Sequence, residues 1–230
     1  MQIIGHRGAC GYEPENTLAS FKKALELGVD AIELDVYALQ TGELVVIHDD
    51  TVDRTTNAQG YVTDYSFEQL RKLDAGKGQM IPTLQEVLNL VDKRVPVNIE
   101  LKGTGTARPV ANVIDQYKQK GWANEQFIVS SFNHVELAAF SSVMPDIRIS
   151  ALIVGIPIDY AAFASKLHAY SANFSSEFIT AELVIDAKAR GLKVFVFTVN
   201  DKREVHRMQA LEVDGIFTNY PDKVRAYLLA

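Results

Sequence analysis

Short apolar runs centred on Ile3, Ile32, Ile99, Val129, Ile149, Ala172, Phe195 and Ile216 alternate with stretches of helical periodicity along the chain. Brief runs of Val, Ile, Leu and Phe read as strands buried on both faces. The stretches between them, at 18–27, 83–91, 107–120, 134–143, 160–167, 181–190, 202–211 and 221–228, carry apolar residues at helix spacing. Asn16 or Thr17 can cap the first and Gly28 can end it. Eight strand–helix units without a second core or a linker predict an α/β fold, a TIM (β/α)8 barrel, as one domain over residues 1–230. The interval between Ile32 and Ile99 is much longer than the others. It holds a run at 44–47 and then Thr-, Asn-, Gln-, Gly- and Asp-rich chain with a helical piece near 67–73. A small insertion over about 48–82, after the second strand, is the expectation.

Composition narrows the class. The 230 residues are 47% hydrophobic and 23% charged, with a formal net charge of −6 and no basic stripe, which argues against a nucleic-acid partner. Cys10 is alone, so no internal disulfide forms, as suits a reducing compartment. The chain starts directly on strand residues, leaving no room for a signal peptide, and no apolar run approaches the roughly 18–20 residues that cross a bilayer. A cytoplasmic enzyme or binding protein, without stable membrane insertion and with its oligomeric state open, is expected.

Polar residues gather where strands end: His6-Arg7, Glu33 with Asp35, His48, Glu100 with Lys102, Ser130-Ser131, Thr198 with Asn200, and Thr218-Asn219. In a βα barrel that rim carries the chemistry. Glu33 and Asp35 are two apart on one strand and share a face. With Glu100 they crowd three carboxylates, whose repulsion and desolvation invite one hard divalent cation, Mg2+ or Ca2+. An ion-pair network in which Arg7 and Lys102 neutralise the acids is the competing reading. His6 and His48 end neighbouring strand segments and suit general acid–base work on a phosphodiester. His134 is expected to start a helix, with His168 and His206 on the surface. Tyr12, Phe132 and Phe197 stand near rim positions where aromatics can wall a pocket. Gly103-Thr104-Gly105 half resembles a phosphate cradle, and GxxxxGK[ST], GxGxxG, GxSxG and HExxH are absent.

Taken together, HRG at 6–8, PENT at 14–17, ExD at 33–35, HD at 48–49, ExK at 100–102, SF at 131–132, TVN at 198–200 and DGIFTNYP at 214–221 resemble the glycerophosphodiester phosphodiesterases. The resemblance runs in order over nearly the whole chain, and the long insertion resembles that family's. It implies a TIM barrel that hydrolyses glycerophosphodiesters, as small-molecule substrates, to sn-glycerol 3-phosphate and an alcohol with one divalent cation. It implies Glu33, Asp35 and Glu100 as metal ligands, His6 and His48 as the acid–base pair, and Arg7 and Lys102 as phosphate-binding cations. Phe132 and Phe197 are expected as pocket walls. Phe197 departs from the Trp that many relatives carry before TVN; it keeps an aromatic wall but loses the indole N–H, which bears on head-group preference. A cyclic phosphate formed by the substrate's own 2-hydroxyl and direct attack by water use the same residues. Two other functions stand beside this one: a phospholipase-like phosphodiesterase on intact lipid, which needs an apolar or basic docking surface that the acidic sequence does not announce, and a non-catalytic barrel that binds metal and phosphate.

Overall fold

The computed structural model describes residues 1–229. The chain opens with β1 (Gln2–Gly5), α1 (Leu18–Glu26) and β2 (Ala31–Ala38). A short β3 (Leu44–Val46) turns back antiparallel to β2, with Val36 opposite Val46. After α2 (Phe67–Leu70) and α3 (Leu84–Val91), the alternation proceeds through β4 (Val97–Leu101), α4 (Ala107–Gln119), β5 (Phe127–Ser131), α5 (His134–Val143), β6 (Arg148–Ile153) and α6 (Ala162–Lys166). It ends with β7 (Ser171–Ser175), α7 (Ala181–Ala189), β8 (Lys193–Phe197), α8 (Lys202–Ala210), β9 (Gly215–Thr218) and α9 (Pro221–Leu228).

Strand neighbours run β1-β9-β8-β7-β6-β5-β4-β2, all parallel, and β1 pairs with β2 to close the ring. This is the eight-stranded TIM barrel expected from the sequence, with β3 as an appendage on β2. The helices start where side chains relieve their free N–H groups. Thr17 Oγ1 accepts from Ser20 N–H ahead of α1, and Thr83 with Glu86 forms a capping box ahead of α3.

The main core lies between strands and helices, where Ile32, Leu34 and Val36 of β2 meet Phe21 and Ala24 of α1 and Leu84, Val87 and Leu88 of α3. The excursion after β3 builds its own small core from Val45, Ile47, Val52, Val62, Leu70 and Ile81. Its helix is shorter than the pattern at 67–73 predicts, ending at Leu70.

Polar residues are not confined to strand ends. Asn98, Ser130, Ser150, Ser171 and Asn173 are buried in mid-barrel. Asn98 Nδ2 donates to Ser130 Oγ at 3.1 Å, and Ser171 Oγ donates to Ser150 Oγ at 2.6 Å. Small hydroxyls and amides therefore fill part of an interior that branched apolar residues would otherwise occupy.

Candidate active site

The site begins with the backbone of the first turn. His6 N–H continues the β1–β9 ladder by donating to Thr218 O at 3.0 Å. Arg7 then takes a left-handed conformation, φ 51°, uncommon for a residue with a side chain, and its N–H donates to Glu33 Oε2 at 2.8 Å. Gly8 follows at φ 85°, where a Cβ would lie 2.4 Å from Ser20 Oγ, so only glycine fits against α1. Asn16, at φ 57°, is of the type that tolerates this conformation, and its Nδ2 donates to Asp35 Oδ2 at 2.9 Å.

Strand register gathers the acids. Asp35 of β2 lies opposite Glu100 of β4, and Glu33 is two residues back on the same face. Oxygen atoms of Glu33, Asp35 and Glu100 all lie within 4.8 Å of one another, and all three side chains are buried. Burial, with repulsion from Asp35 and Glu100, holds Glu33 well above the usual carboxylate range, and burial beside Asp35 pushes Glu100 up to about 7.

Two cations lean on this cluster. Lys102 Nζ donates to Glu100 Oε1 at 2.8 Å and stands 3.8 Å from Asp35 Oδ1. Arg7 Nε is 3.4 Å from Asp35 Oδ2, while its Nη1 donates to Glu15 at 2.7 Å. Burial alone would weaken protonation of both, yet the acids outweigh it and keep both charged: Asp35 and Glu15 at Arg7, Glu100 and Asp35 at Lys102. The ion pairs of the competing reading are therefore present, but they leave the acids short of cations. Arg7 is shared with Glu15, Glu33 has only a backbone N–H, and buried Asp35 Oδ1 accepts no hydrogen bond. A buried, all-oxygen donor set with an unsatisfied atom fits a hard divalent cation.

The imidazoles face the same cavity from opposite supports. His6 Nδ1 donates to Asn219 Oδ1 at 2.8 Å, which leaves Nε2 free to accept, and burial beside Arg7 lowers the ring to about 4. Asn219 is itself held, since its N–H donates to Asn200 Oδ1 at 2.9 Å. His48 Nδ1 donates to Asp49 Oδ1 at 2.6 Å, and its Nε2 sits 3.3 Å from Lys102 Nζ. Arg54, from the excursion, bridges Asp49 at 2.7 Å and Glu15 at 2.7 Å. The chain from Arg7 through Glu15, Arg54 and Asp49 to His48 thus ties the excursion to the first turn.

His6, Arg7, Glu33, His48 and Glu100 line one open-mouthed cavity. Its opposite wall is apolar: Phe132, Leu152, Phe197 and Phe217, with Phe132 and Phe197 edge-to-face at 5.6 Å. Lys102 reaches the same space, its Nζ lying 5.8 Å over the Phe132 ring.

Several expectations resolve differently. Tyr12 does not join the wall; its hydroxyl donates to Asp222 and its ring packs on Tyr220. The Gly103–Gly105 turn is no free cradle, because Glu136 accepts from Gly105 N–H at 2.9 Å and Ala107 N–H at 3.2 Å. His134 starts α5 as expected, donating to Leu152 O at 2.9 Å, and His168 and His206 are exposed. Asn200 and Asn219 were visible only as rim residues; a polar pair just beyond two adjacent strands, opposite HRG, is the signal that marks them as supports of His6. Asn98, whose Oδ1 is buried without a hydrogen bond, also lines the cavity and carried no signal beyond its place two residues before Glu100.

The family profile described as Glycerophosphoryl diester phosphodiesterase family matches residues 6–223. The chain is 41% identical to a glycerophosphodiester phosphodiesterase of Caldanaerobacter subterraneus subsp. tengcongensis over 96% of this chain and 94% of that protein. It is 37% identical to a putative glycerophosphodiester phosphodiesterase of Bacillus subtilis, over 96% of each. A solved Oleispira antarctica phosphodiesterase, in complex with the product sn-glycerol-3-phosphate, superposes with a TM-score of 0.92 at 29% identity, covering 100% of this chain and 97% of that one. With its barrel, its gathered acids and a match over nearly its whole length, the chain is an enzyme and belongs to the glycerophosphoryl diester phosphodiesterase family.

Proposed function

We propose that the protein hydrolyses glycerophosphodiesters to sn-glycerol 3-phosphate and an alcohol, with Glu33, Asp35 and Glu100 holding one divalent cation, Mg2+ or Ca2+. The observation that carries this reading is a cluster of three buried carboxylates, two of them lining one cavity with Arg7 and both imidazoles, and Lys102 bonded to Glu100 beside it. A cation held by these three acids would supply Lewis-acid charge for the phosphoryl transfer. Arg7 and Lys102 bind the phosphate and stabilise the charge that gathers on it. The neutral His6 Nε2, open because Nδ1 is spent on Asn219, takes the proton of the 2-hydroxyl as that oxygen attacks phosphorus. His48, doubly protonated and oriented through Nδ1 by Asp49, gives its Nε2 proton to the departing alcohol oxygen as that oxygen's bond to phosphorus breaks. A five-membered cyclic phosphate results; water then opens it at the 2-oxygen, with His6 returning the proton and His48 accepting one from the water.

Intramolecular attack is favoured because a tethered nucleophile gains an entropic advantage, on the order of 7–11 kcal/mol at best. Turnover of a substrate analogue lacking the 2-hydroxyl, with phosphorus NMR for the cyclic product, tests the route. Loss of turnover with the analogue and a transient cyclic phosphate from the natural substrate are expected; equal turnover of both would establish direct attack by water. The lone Cys10 supports a cytoplasmic setting for this activity.

A further inference from the structure

The barrel holds a second cavity at the end opposite the acids. Asp30, Glu125, Arg148 and Tyr170 line its outer part, and each starts a strand or precedes one by no more than two residues. The opening therefore lies at the N-terminal ends of the strands. Deeper in, one arc of the ring is polar, with Asn98 of β4, Ser150 of β6 and Asn173 of β7, and the other is apolar, with Ile4 of β1, Phe195 of β8 and Phe217 of β9. All six side chains are buried. Branched apolar residues packed in layers ordinarily fill this part of a βα barrel. Here they do not: Ile128, the second residue of β5, lines the cavity and stays partly exposed. Asn98 Nδ2 donates to Ser130 Oγ at 3.1 Å, but its buried Oδ1 accepts no hydrogen bond, and interiors seldom leave such an acceptor unpaired. Only Asn98 and Phe217 line both this cavity and the catalytic one, so the two lie back to back along the barrel.

We propose that the basal cavity is a second, non-catalytic binding site that takes a small neutral polyol. The lining selects this class. Its buried part offers amides, a hydroxyl and aromatic rings but no charged side chain, so an ionic ligand would lose its hydration without gaining a counter-charge. The outer charges favour neither sign. Arg148 stands against Asp30 and Glu125, its guanidinium lies 4.7 Å over the Tyr170 ring, and Asp30 Oδ2 already accepts from Ile3 N–H at 2.7 Å. A wholly apolar ligand would cover Asn98, Ser150 and Asn173 without bonding to them, at the cost of desolvating each. A polyol meets both arcs: its hydroxyls bond the amides and Ser150, supplying the donor that Asn98 Oδ1 lacks, while its C–H groups pack on Phe195 and Phe217. None of the residues given a catalytic role belongs to this site, which stands apart from the reaction proposed above.

Saturation-transfer NMR on the whole protein, with glycerol and erythritol as probes, tests the proposal. Ile128→Trp closes the opening from a position that is already partly exposed, and Asn173→Leu removes a buried amide from the lining. Wild type should transfer saturation to both polyols along a dose curve that levels off, and excess sn-glycerol 3-phosphate, directed at the catalytic cavity, should leave that signal standing. Ile128→Trp should abolish the signal, and Asn173→Leu should weaken the apparent affinity by about fivefold or more. Cooperative thermal unfolding of each variant shows that it is folded; should Asn173→Leu fail to fold, Ile128→Trp decides alone. A wild-type signal that never saturates, or one that survives in folded Ile128→Trp, would overturn the proposal and leave the cavity to water. A signal removed by sn-glycerol 3-phosphate would overturn it too, placing the polyol in the catalytic cavity.

Discussion

Glu15 stands between two guanidinium groups, accepting from Arg7 and from Arg54. Burial alone would raise its pKa, but the hydrogen bonds from Arg54 and the charge of Arg7 win and hold it at about 2, against an ordinary 4.5. A group whose pKa is depressed by folding stabilises the fold fully above its unfolded value and ceases to do so as pH falls through the folded one. Glu15 should therefore stabilise the protein at pH 5 and lose that contribution between about pH 4.5 and 2. Urea unfolding of wild type and Glu15→Gln at pH 5 and pH 3 checks this: the gap between them should narrow at the lower pH, and a constant gap would contradict it. Arg54 donates to Asp49, which accepts from His48, so on the proposed reading it positions that imidazole. Arg54→Ala should lower kcat/KM by about ten- to a hundredfold, and pairing it with Asp49→Asn should add less than the two losses combined. A double-mutant cycle with a pH–rate profile separates this from simple destabilisation, because only a misplaced imidazole shifts the profile. Cys10 is the opposite case: burial pushes its thiol up to about 12, so alkylation by iodoacetamide at pH 8 should be slow in the native protein and fast once unfolded.

Secondary elements show which information a sequence carries locally and which it does not. α1, α3 and α9 begin where Thr17, Thr83 and Pro221 announce them, and each barrel strand overlaps the run that predicts it, with β1, β7 and β9 reaching one residue further, to Gly5, Ser175 and Thr218. Glu33 and Asp35 share a face by alternation alone, but their meeting with Glu100 depends on the β2–β4 register, which only the closed barrel fixes. The mid-barrel Asn98 and Ser150 were unreadable for the same reason, since their partners Ser130 and Ser171 lie on other strands. His134 sits near the rim, yet its ring is spent on Leu152 O and on stacking with Phe163. Its replacement by Ala should leave kcat unchanged and cost about 1 kcal/mol of stability, measured by parallel kinetics and denaturant unfolding. The excursion has a different dependence. Leu70 is fully buried in its separate small core, and Leu70→Ala should cost roughly 2–5 kcal/mol while also lowering activity, because that core supports the segment carrying Arg54. Unchanged kinetics in a destabilised Leu70→Ala protein would show that the excursion does not support the site.

At the scale of the whole molecule, the barrel divides its mouth into a charged half from β1, β2 and β4 and an apolar half from β5, β6, β8 and β9. Concentrating three buried carboxylates on one side is costly without a counter-charge, and that cost has a signature of its own. In chelator-treated protein, Glu33→Gln should raise the melting temperature by removing one repelling charge, while abolishing the rise that Mg2+ or Ca2+ gives wild type. Scanning calorimetry with and without cation reads both effects, and a variant that melts lower than wild type in chelator would show that Glu33 is satisfied by Arg7 alone. The activity itself offers the most direct test of whether these acids hold a working cation. Release of sn-glycerol 3-phosphate from glycerophosphocholine is followed after exhaustive chelation and again on titrating in Mg2+ or Ca2+. Activity should vanish with the chelator, return saturably with the cation, and fail to return in Glu33→Gln, Asp35→Asn or Glu100→Gln; full activity in the chelated wild-type enzyme would contradict the account.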